Sequence, residues 1–388
     1  MRKFLLGLAT GFTLGYSAFH AYRSLSSRKS DSAFNRDAAT YGATRRALSL
    51  AGIARSLTGS SAVAFGPIGT GLERSVRGLP VWLRPAAFAV EVALLDALVE
   101  TPVDFQEGYE LERRYGLSEQ SISSWMSDRV KQEVLGIAIT ATLSALLAAA
   151  MRRLPNTWPY VASAAVFPLL LIANIVVPVY VLPLFNTYEP VDGPLEKRLR
   201  ALASRYGVGD AEILRVDMSK QTKKANAFVT GIFNTHRIVI GDTLIEHFPD
   251  EEIEFVVAHE LGHYVSKDSW RMIGAGQIGA ILVLFGAFAV ARKNGSAKPE
   301  SPMALAQLQL WATLFSQVLR PAFAAFARSR EWAADRFAIE TTRDPQTGAS
   351  AFRRLRDQNL SEDEQPLWYE CLFSTHPSLR SRIAALES

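Results

Sequence analysis

One cysteine, Cys371, stands in a chain of 388 residues. No disulfide can form within the chain, so the fold does not depend on an oxidising compartment. A lone cysteine has no second thiol to share a metal with, and Cys371 reads as filler in the core or on the surface. Histidine is sparse, with six in all, and charge is low at 21% against 48% hydrophobic residues. The mean hydropathy of +0.07 is high for a soluble enzyme. Net charge is only +4, and the basic residues fall between apolar stretches instead of forming one patch. That pattern argues against nucleic-acid binding and for membrane topology signals. Repeats and low-complexity tracts are missing too.

What the chain does contain is a series of apolar runs. Residues 4–22 are apolar, follow Arg2-Lys3, and lack a clean small-x-small cleavage site, so they read as an uncleaved membrane helix in preference to a signal peptide. Residues 23–47, with Arg23, Arg28, Lys29, Arg36, Arg45 and Arg46, read as a solvated loop. Residues 48–69 are weakly apolar and fit either a spanning or an interfacial helix. Residues 85–106 carry Glu91, Asp96, Glu100 and Asp104, which are costly in hydrocarbon. That helix sits at a wet edge or lines an internal aqueous cavity. Residues 132–150, 159–184, 272–292 and 304–328 complete the set. The last holds Gln307, Gln309, Gln317 and Arg320, which suit protein or water more than lipid. Basic residues in the first loop predict an outside N-terminus, with the 185–270 insertion and the C-terminus cytoplasmic.

The insertion has a different character. A short amphipathic helix is expected over Leu195–Tyr206, followed by strands over Ala211–Val216, Ala225–Phe233 and Arg237–Ile240. The chain thus divides into membrane helices 1–184, an α+β insertion 185–270, a membrane hairpin 271–328 and a helical C-terminal part 329–388.

At the end of the insertion stands His259-Glu260-Leu261-Gly262-His263. Asp250-Glu251-Glu252 open a helix there, with acidic groups suited to its dipole. Residues i and i+4 share a helical face, so His259 and His263 can aim ring nitrogens at one metal. Glu260 is placed to activate a water without occupying the metal. Alone, the five residues also fit two ordinary helix histidines. The remaining histidines, His20, His236 and His247, receive no role.

The hairpin supplies what the motif lacks. Two helices of about 20 residues cross a layer of about 30 Å and return to the same face. There Glu331 and Asp335 are again i and i+4. Glu331 is the candidate third ligand, and Asp335 can take the outward N–H of a ligand histidine. Two histidines, one glutamate and a fourth position for water make the ligand set of a catalytic site holding one zinc ion per chain.

The spaced motifs together resemble the type I CAAX prenyl proteases, integral-membrane zinc metalloproteases. The residues carrying the resemblance are Pro183-Leu184-Phe185-Asn186, Asn226-Ala227-Phe228, Arg237–Ile240, Asp242-Thr243-Leu244, the zinc helix and the Glu331/Asp335 segment. Ser374-Thr375-His376-Pro377 with Arg382 belong to it too, as do Tyr109–Glu112 and Tyr115-Gly116-Leu117. It covers roughly residues 100–388. The resemblance implies a mainly α fold, a barrel of about seven transmembrane helices around a water-filled chamber, with a small α+β metalloprotease domain. It implies that Asn226 and Ala227 lie on a strand that pairs with the substrate backbone. It implies further that His376 and Arg382 reach back to the site, as donors to the oxyanion or substrate carbonyl.

The function expected is a membrane-embedded zinc endopeptidase acting on a peptide or protein, prenylated or not, in contact with the bilayer. A quality-control protease acting on unprenylated proteins is the alternative within the enzymes. A receptor or scaffold with a vestigial zinc site is the alternative outside them, and three protein ligands instead of four speak against it.

Overall fold

The structure, a computed structural model, describes residues 33–231, 236–293 and 301–388. The expected span at 4–22 lies outside the described residues, as does most of the turn before His236.

The membrane part begins with α1 (Ala33–Phe65) and α2 (Pro67–Ser75). Next come α3 (Arg84–Asp104), prolonged by a π-helical stretch Phe105–Glu110, and the single turn α4 (Leu111–Arg114). α5 (Ile122–Arg153) and α6 (Trp158–Val176) end it. Residues 33–47 are helical, where a loop was expected. The segment is rich in alanine, a strong helix former, and it buries Ala38, Tyr41 and Ala43. Arg46, read as solvated, is buried in an ion pair with Glu362.

Three segments are long and apolar enough to cross a membrane among the described residues: Ile122–Arg153, Trp158–Leu184 and Asp268–Lys293. α1 and α3 are more polar because their charges meet inside the bundle. Arg55 of α1 reaches Glu100 of α3 at 2.9 Å, and Arg129 of α5 reaches Asp104 at 2.7 Å. Asp96, Glu100, Arg129 and Glu133 line a cavity of about 310 Å³. Asp96 and Glu100 therefore face an interior cavity, and the ion pairs of Glu100 and Asp104 offset their desolvation, while Glu91 accepts a hydrogen bond from the exposed Ser75.

The insertion opens with β1 (Tyr188–Pro190), a strand too short to announce itself in the sequence. It continues with α7 (Gly193–Ser204), β2 (Glu212–Val216), β3 (Ala227–Thr230), β4 (Arg237–Gly241) and α8 (Asp242–His247). The sheet order is β1-β2-β4-β3. β2 and β4 are parallel, while β3 runs antiparallel to β4 with Phe228 opposite Val239. That leaves β3 as an edge strand among the described residues.

α9 (Asp250–Val265) packs on this sheet and carries the zinc motif. The hairpin follows as α10 (Asp268–Lys293) and α11 (Pro302–Thr342). α11 is one helix of 41 residues that runs through residue 328 without a break. It therefore carries Glu331 rigidly from the membrane to the site. α12 (Pro345–Gln358), α13 (Leu367–Phe373) and α14 (Leu379–Glu387) end the chain. The main core joins sheet, α9, α11 and α12 through Leu199, Ile238, Ile240, Phe255, Leu261, Ala338 and Phe352.

Candidate active site

α9 is seated by its first turn. Glu252, buried, accepts from Arg354 Nε and Ser350 Oγ of α12, each at 2.7 Å. Its other end meets α11 at Gly262. A Cβ there would lie 3.1 Å from the Cα of Ala334, tighter than ordinary contact, so glycine favours this close approach of the two helices.

That approach brings Glu331 between the histidines. Its Oε2 lies 3.5 Å from His259 Nε2, and its Oε1 lies 3.4 Å from His263 Nε2. Ligand atoms of His259, His263 and Glu331 all lie within 4.8 Å of one another. Glu331 Oε2 is buried and has no hydrogen-bond partner among the described residues. The two oxygens of this buried carboxylate each face one ring nitrogen, and Arg382 Nη1 stands 3.4 Å from Oε2, all at ion-pair distance and not at close hydrogen-bond length, which leaves an unfilled polar space that a divalent cation would satisfy. The residues fit a metal.

The electrostatics agree. Burial opposes charge on His259, but hydrogen bonds to Asp335 and Glu331 outweigh it and raise its pKa to about 9. His263 is raised against burial by Glu331 and Asp268. Burial opposes ionisation of Glu331 as well, yet the two histidines hold it well below the usual carboxylate range. Positive charge thus stands against Glu331 where a cation would sit. Glu260 lies on the same cavity wall, and burial raises its pKa, partly offset by both histidines. That suits a carboxylate that takes up and returns a proton.

Each ligand histidine is held from behind. His259 Nδ1 meets Asp335 Oδ1 at 2.9 Å. His263 Nδ1 meets Asp268 Oδ2 at 2.9 Å, and Asp268 Oδ1 accepts from Arg330 Nε at 2.6 Å. Asp268 and Arg330 escape sequence reasoning. The only signal is an acid five residues past His263, which is not a helical spacing. It works because Lys267 between α9 and α10 takes φ 56° and turns Asp268 back onto the ring.

Arg382 is buried and donates to both oxygens of Asp335, at 2.6 and 2.8 Å, while stacking 4.2 Å from the Phe352 ring centroid. Its Nη1 lies 3.4 Å from Glu331 Oε2. The guanidinium holds Asp335 through Nε and Nη2, while Nη1 faces Glu331 on the cavity side. His376 differs: its side chain is 64% exposed, with Nε2 3.4 Å from Glu331 Oε1, at the mouth of the site. Asn226 is exposed on the cavity wall, and Ala227 is buried beside it in β3. Asn359 clamps this strand, accepting from Ala225 N at 2.8 Å and donating to Ala225 O at 3.1 Å. The cavity holding all of these has a volume of about 820 Å³. Of the other described histidines, His236 packs on Tyr264 and His247 Nδ1 meets the Thr243 carbonyl at 2.8 Å.

Two outcomes follow. Asp268→Ala is expected to weaken metal binding roughly 10–100-fold without unfolding the protein, and Asp268→Asn to recover part of the loss. Chelator competition reads this directly, and unchanged affinity would contradict the role. Second, His259 in the metal-free protein keeps its proton up to about pH 9, whereas a ligand histidine is neutral. Metal uptake near neutrality should therefore release protons, and affinity should rise with pH up to about 9. Calorimetry in buffers of different ionisation heat counts the protons, and a count of zero would contradict it.

Comparison with known proteins covers both parts of the chain. Residues 191–388 match Peptidase family M48, and residues 25–187 match "CAAX prenyl protease N-terminal, five membrane helices". The likeness thus extends well before residue 100. An uncharacterised metalloprotease, YhfN of Bacillus subtilis, is 29% identical over 79% of this chain and 74% of its own. CAAX prenyl protease 1 of Saccharomyces cerevisiae is 27% identical over 76% of this chain and 70% of its own. The crystal structure of S. mikatae Ste24p superposes with a TM-score of 0.82 at 22% identity, covering 99% of this chain and 97% of that one. The chain therefore belongs to peptidase family M48 and is an integral-membrane metalloprotease similar to the CAAX prenyl proteases.

Proposed function

We propose that the metal is zinc, held by His259, His263 and Glu331, and that the protein cleaves peptide bonds of membrane-associated substrates. The observation that carries this is the buried Glu331 carboxylate set between two histidines, the three ligand groups within 4.8 Å of one another, with Glu260 on the same cavity wall. When bound, the ion supplies Lewis acidity toward the scissile carbonyl and a water molecule. The remaining work falls to the chain's own residues. Glu260 takes a proton from the attacking water and hands it to the leaving nitrogen. Asp335 and Asp268 hold the two imidazoles in the tautomer that presents Nε2. Arg382 keeps Asp335 ionised and in place. His376, at the mouth, donates a hydrogen bond to the carbonyl oxygen as charge develops there. The edge of β3 that begins at Asn226 and Ala227 takes up the substrate as an added strand. A prenylated C-terminal peptide is the proposed substrate, which rests on the relatives named CAAX prenyl protease 1. The catalytic part and C-terminus are placed on the cytoplasmic side, because the basic residues of the N-terminal region fit that orientation.

Glu260→Gln should retain the metal and lose cleavage by about 10²–10⁴-fold. Turnover near that of the unaltered protein would sink the mechanism. The substrate class is tested with a farnesylated peptide and its unmodified twin in inverted vesicles, which expose the cytoplasmic face. Faster cleavage of the farnesylated form is expected. Equal rates would remove the prenyl assignment in favour of a general membrane protease, and cleavage confined to right-side-out vesicles would reverse the sidedness.

A further inference from the structure

α13 is seven residues long and has two unlike faces. Tyr369 and Phe373 line the catalytic cavity, their rings stacked at 5.1 Å. The opposite face is made by Leu367, Trp368, Cys371 and Leu372, which fall one helical turn apart. Leu367 is 75%, Trp368 47% and Leu372 41% exposed, and Cys371 is exposed as well. This outer face carries no charge. The nearby charges lie off this face: Glu370 on the helix itself, Arg320 and Arg328 against its inner side, and in the preceding turn Asp363 paired with Arg356 and Glu364 with Arg380. Singly scattered apolar residues on a surface need no explanation, but four contiguous ones on one helix face do.

The height of α13 relative to the membrane helices can be read from its anchors. Arg328 of α11 donates to the carbonyls of Glu370 and Ser374, each at 2.7 Å. Arg320, about two turns earlier on α11, stacks over Phe373 at 4.7 Å. α10 and α11 are antiparallel, and two contacts fix their register. Arg330 pairs with Asp268, and the Phe315 ring lies against Gly286. Residues 320–328 therefore lie beside the first turns of α10, the start of the apolar segment Asp268–Lys293. On those turns Trp270 and Ile278 are exposed.

We propose that α13 rests in the interfacial layer of the bilayer, with Leu367, Trp368, Cys371 and Leu372 in lipid. It then forms the wall between the catalytic cavity and the membrane. Length and composition support a lipid surface over a protein partner. A helix of seven residues covers about 10 Å, little for a specific protein interface but enough for an interfacial anchor. Trp368 beside aliphatic side chains is the pairing that suits the water–hydrocarbon boundary. The neighbouring membrane helices α10 and α11 expose large apolar side chains too, among them Ile278, Val318 and Phe323. A substrate chain anchored in the same leaflet would reach the cavity across this helix. The lipid contact holds whether or not the substrate is prenylated, so it stands apart from the proposed substrate class.

Cys371 is the chain's one thiol, so it takes a fluorophore with no other change. The intact protein, labelled with an environment-sensitive dye and reconstituted in phosphatidylcholine vesicles, is exposed to lipids bearing a nitroxide near the glycerol and to aqueous iodide. Strong quenching by the nitroxide lipid and weak quenching by iodide are expected. Iodide quenching without lipid quenching would overturn the proposal by opening this face to the aqueous chamber. Protection from both would overturn it by covering the face with protein. A second measurement uses Leu367→Lys with Leu372→Lys in one protein of unchanged metal content. It should cleave a detergent-solubilised peptide as before and a bilayer-anchored peptide severalfold more slowly. Equal rates, or equal losses, on both would count against the wall being a membrane contact.

Discussion

Everything at the catalytic centre depends on how closely α9 and α11 approach at Gly262. The metal-type triad draws two ligands from one helix and the third from the other. A Cβ at residue 262 would stand 3.1 Å from Ala334 Cα, so even a methyl group would force the helices apart by a few tenths of an ångström. A wider spacing would lengthen the distances from Glu331 to both histidines, which now stand at 3.4 and 3.5 Å. The glycine inside the motif is thus a packing requirement, distinct from the chemistry of its neighbours. The 41-residue length of α11 adds to this, since one unbroken helix packed along α10 also positions Glu331.

Bringing ionisable groups together in a buried place is costly, and the structure offsets the cost by interlocking them. Asp335 is shared between His259 and Arg382, and Asp268 between His263 and Arg330. Each histidine is backed by a carboxylate, and each carboxylate by an arginine. Removing one member would leave a buried charge without its partner, which typically costs more than the pair contributes when intact. The cationic ends come from distant parts of the chain, Arg330 on α11 and Arg382 on α14. Completion of the site is therefore coupled to docking of the C-terminal helices.

Much of this was legible in the sequence because it depends on helical periodicity. His259 and His263 share a face, Glu331 and Asp335 share another, and the hairpin between them has the length to cross a bilayer twice. Strands β2 and β4 were legible as alternating or continuous apolar runs, whereas β1, three residues long, carries too little pattern. Asp268 was hidden because it depends on one left-handed residue, Lys267. The helix over 33–47 was hidden because arginine reads as solvated, and only tertiary structure shows Arg46 buried against Glu362. The pairing of Arg382 with Asp335 and its stacking on Phe352 were hidden because they depend on how the C-terminal helix docks.

The central claim is that one cation is held by two imidazoles and one carboxylate contributed by α9 and α11, with a fourth position open. X-ray absorption at the zinc edge on the purified protein tests this most directly. The account predicts one zinc per chain, two nitrogen and two oxygen neighbours at about 2.0–2.2 Å, and loss of one oxygen ligand in Glu331→Ala. A sulfur neighbour, a third imidazole, or a spectrum unchanged by Glu331→Ala would contradict it.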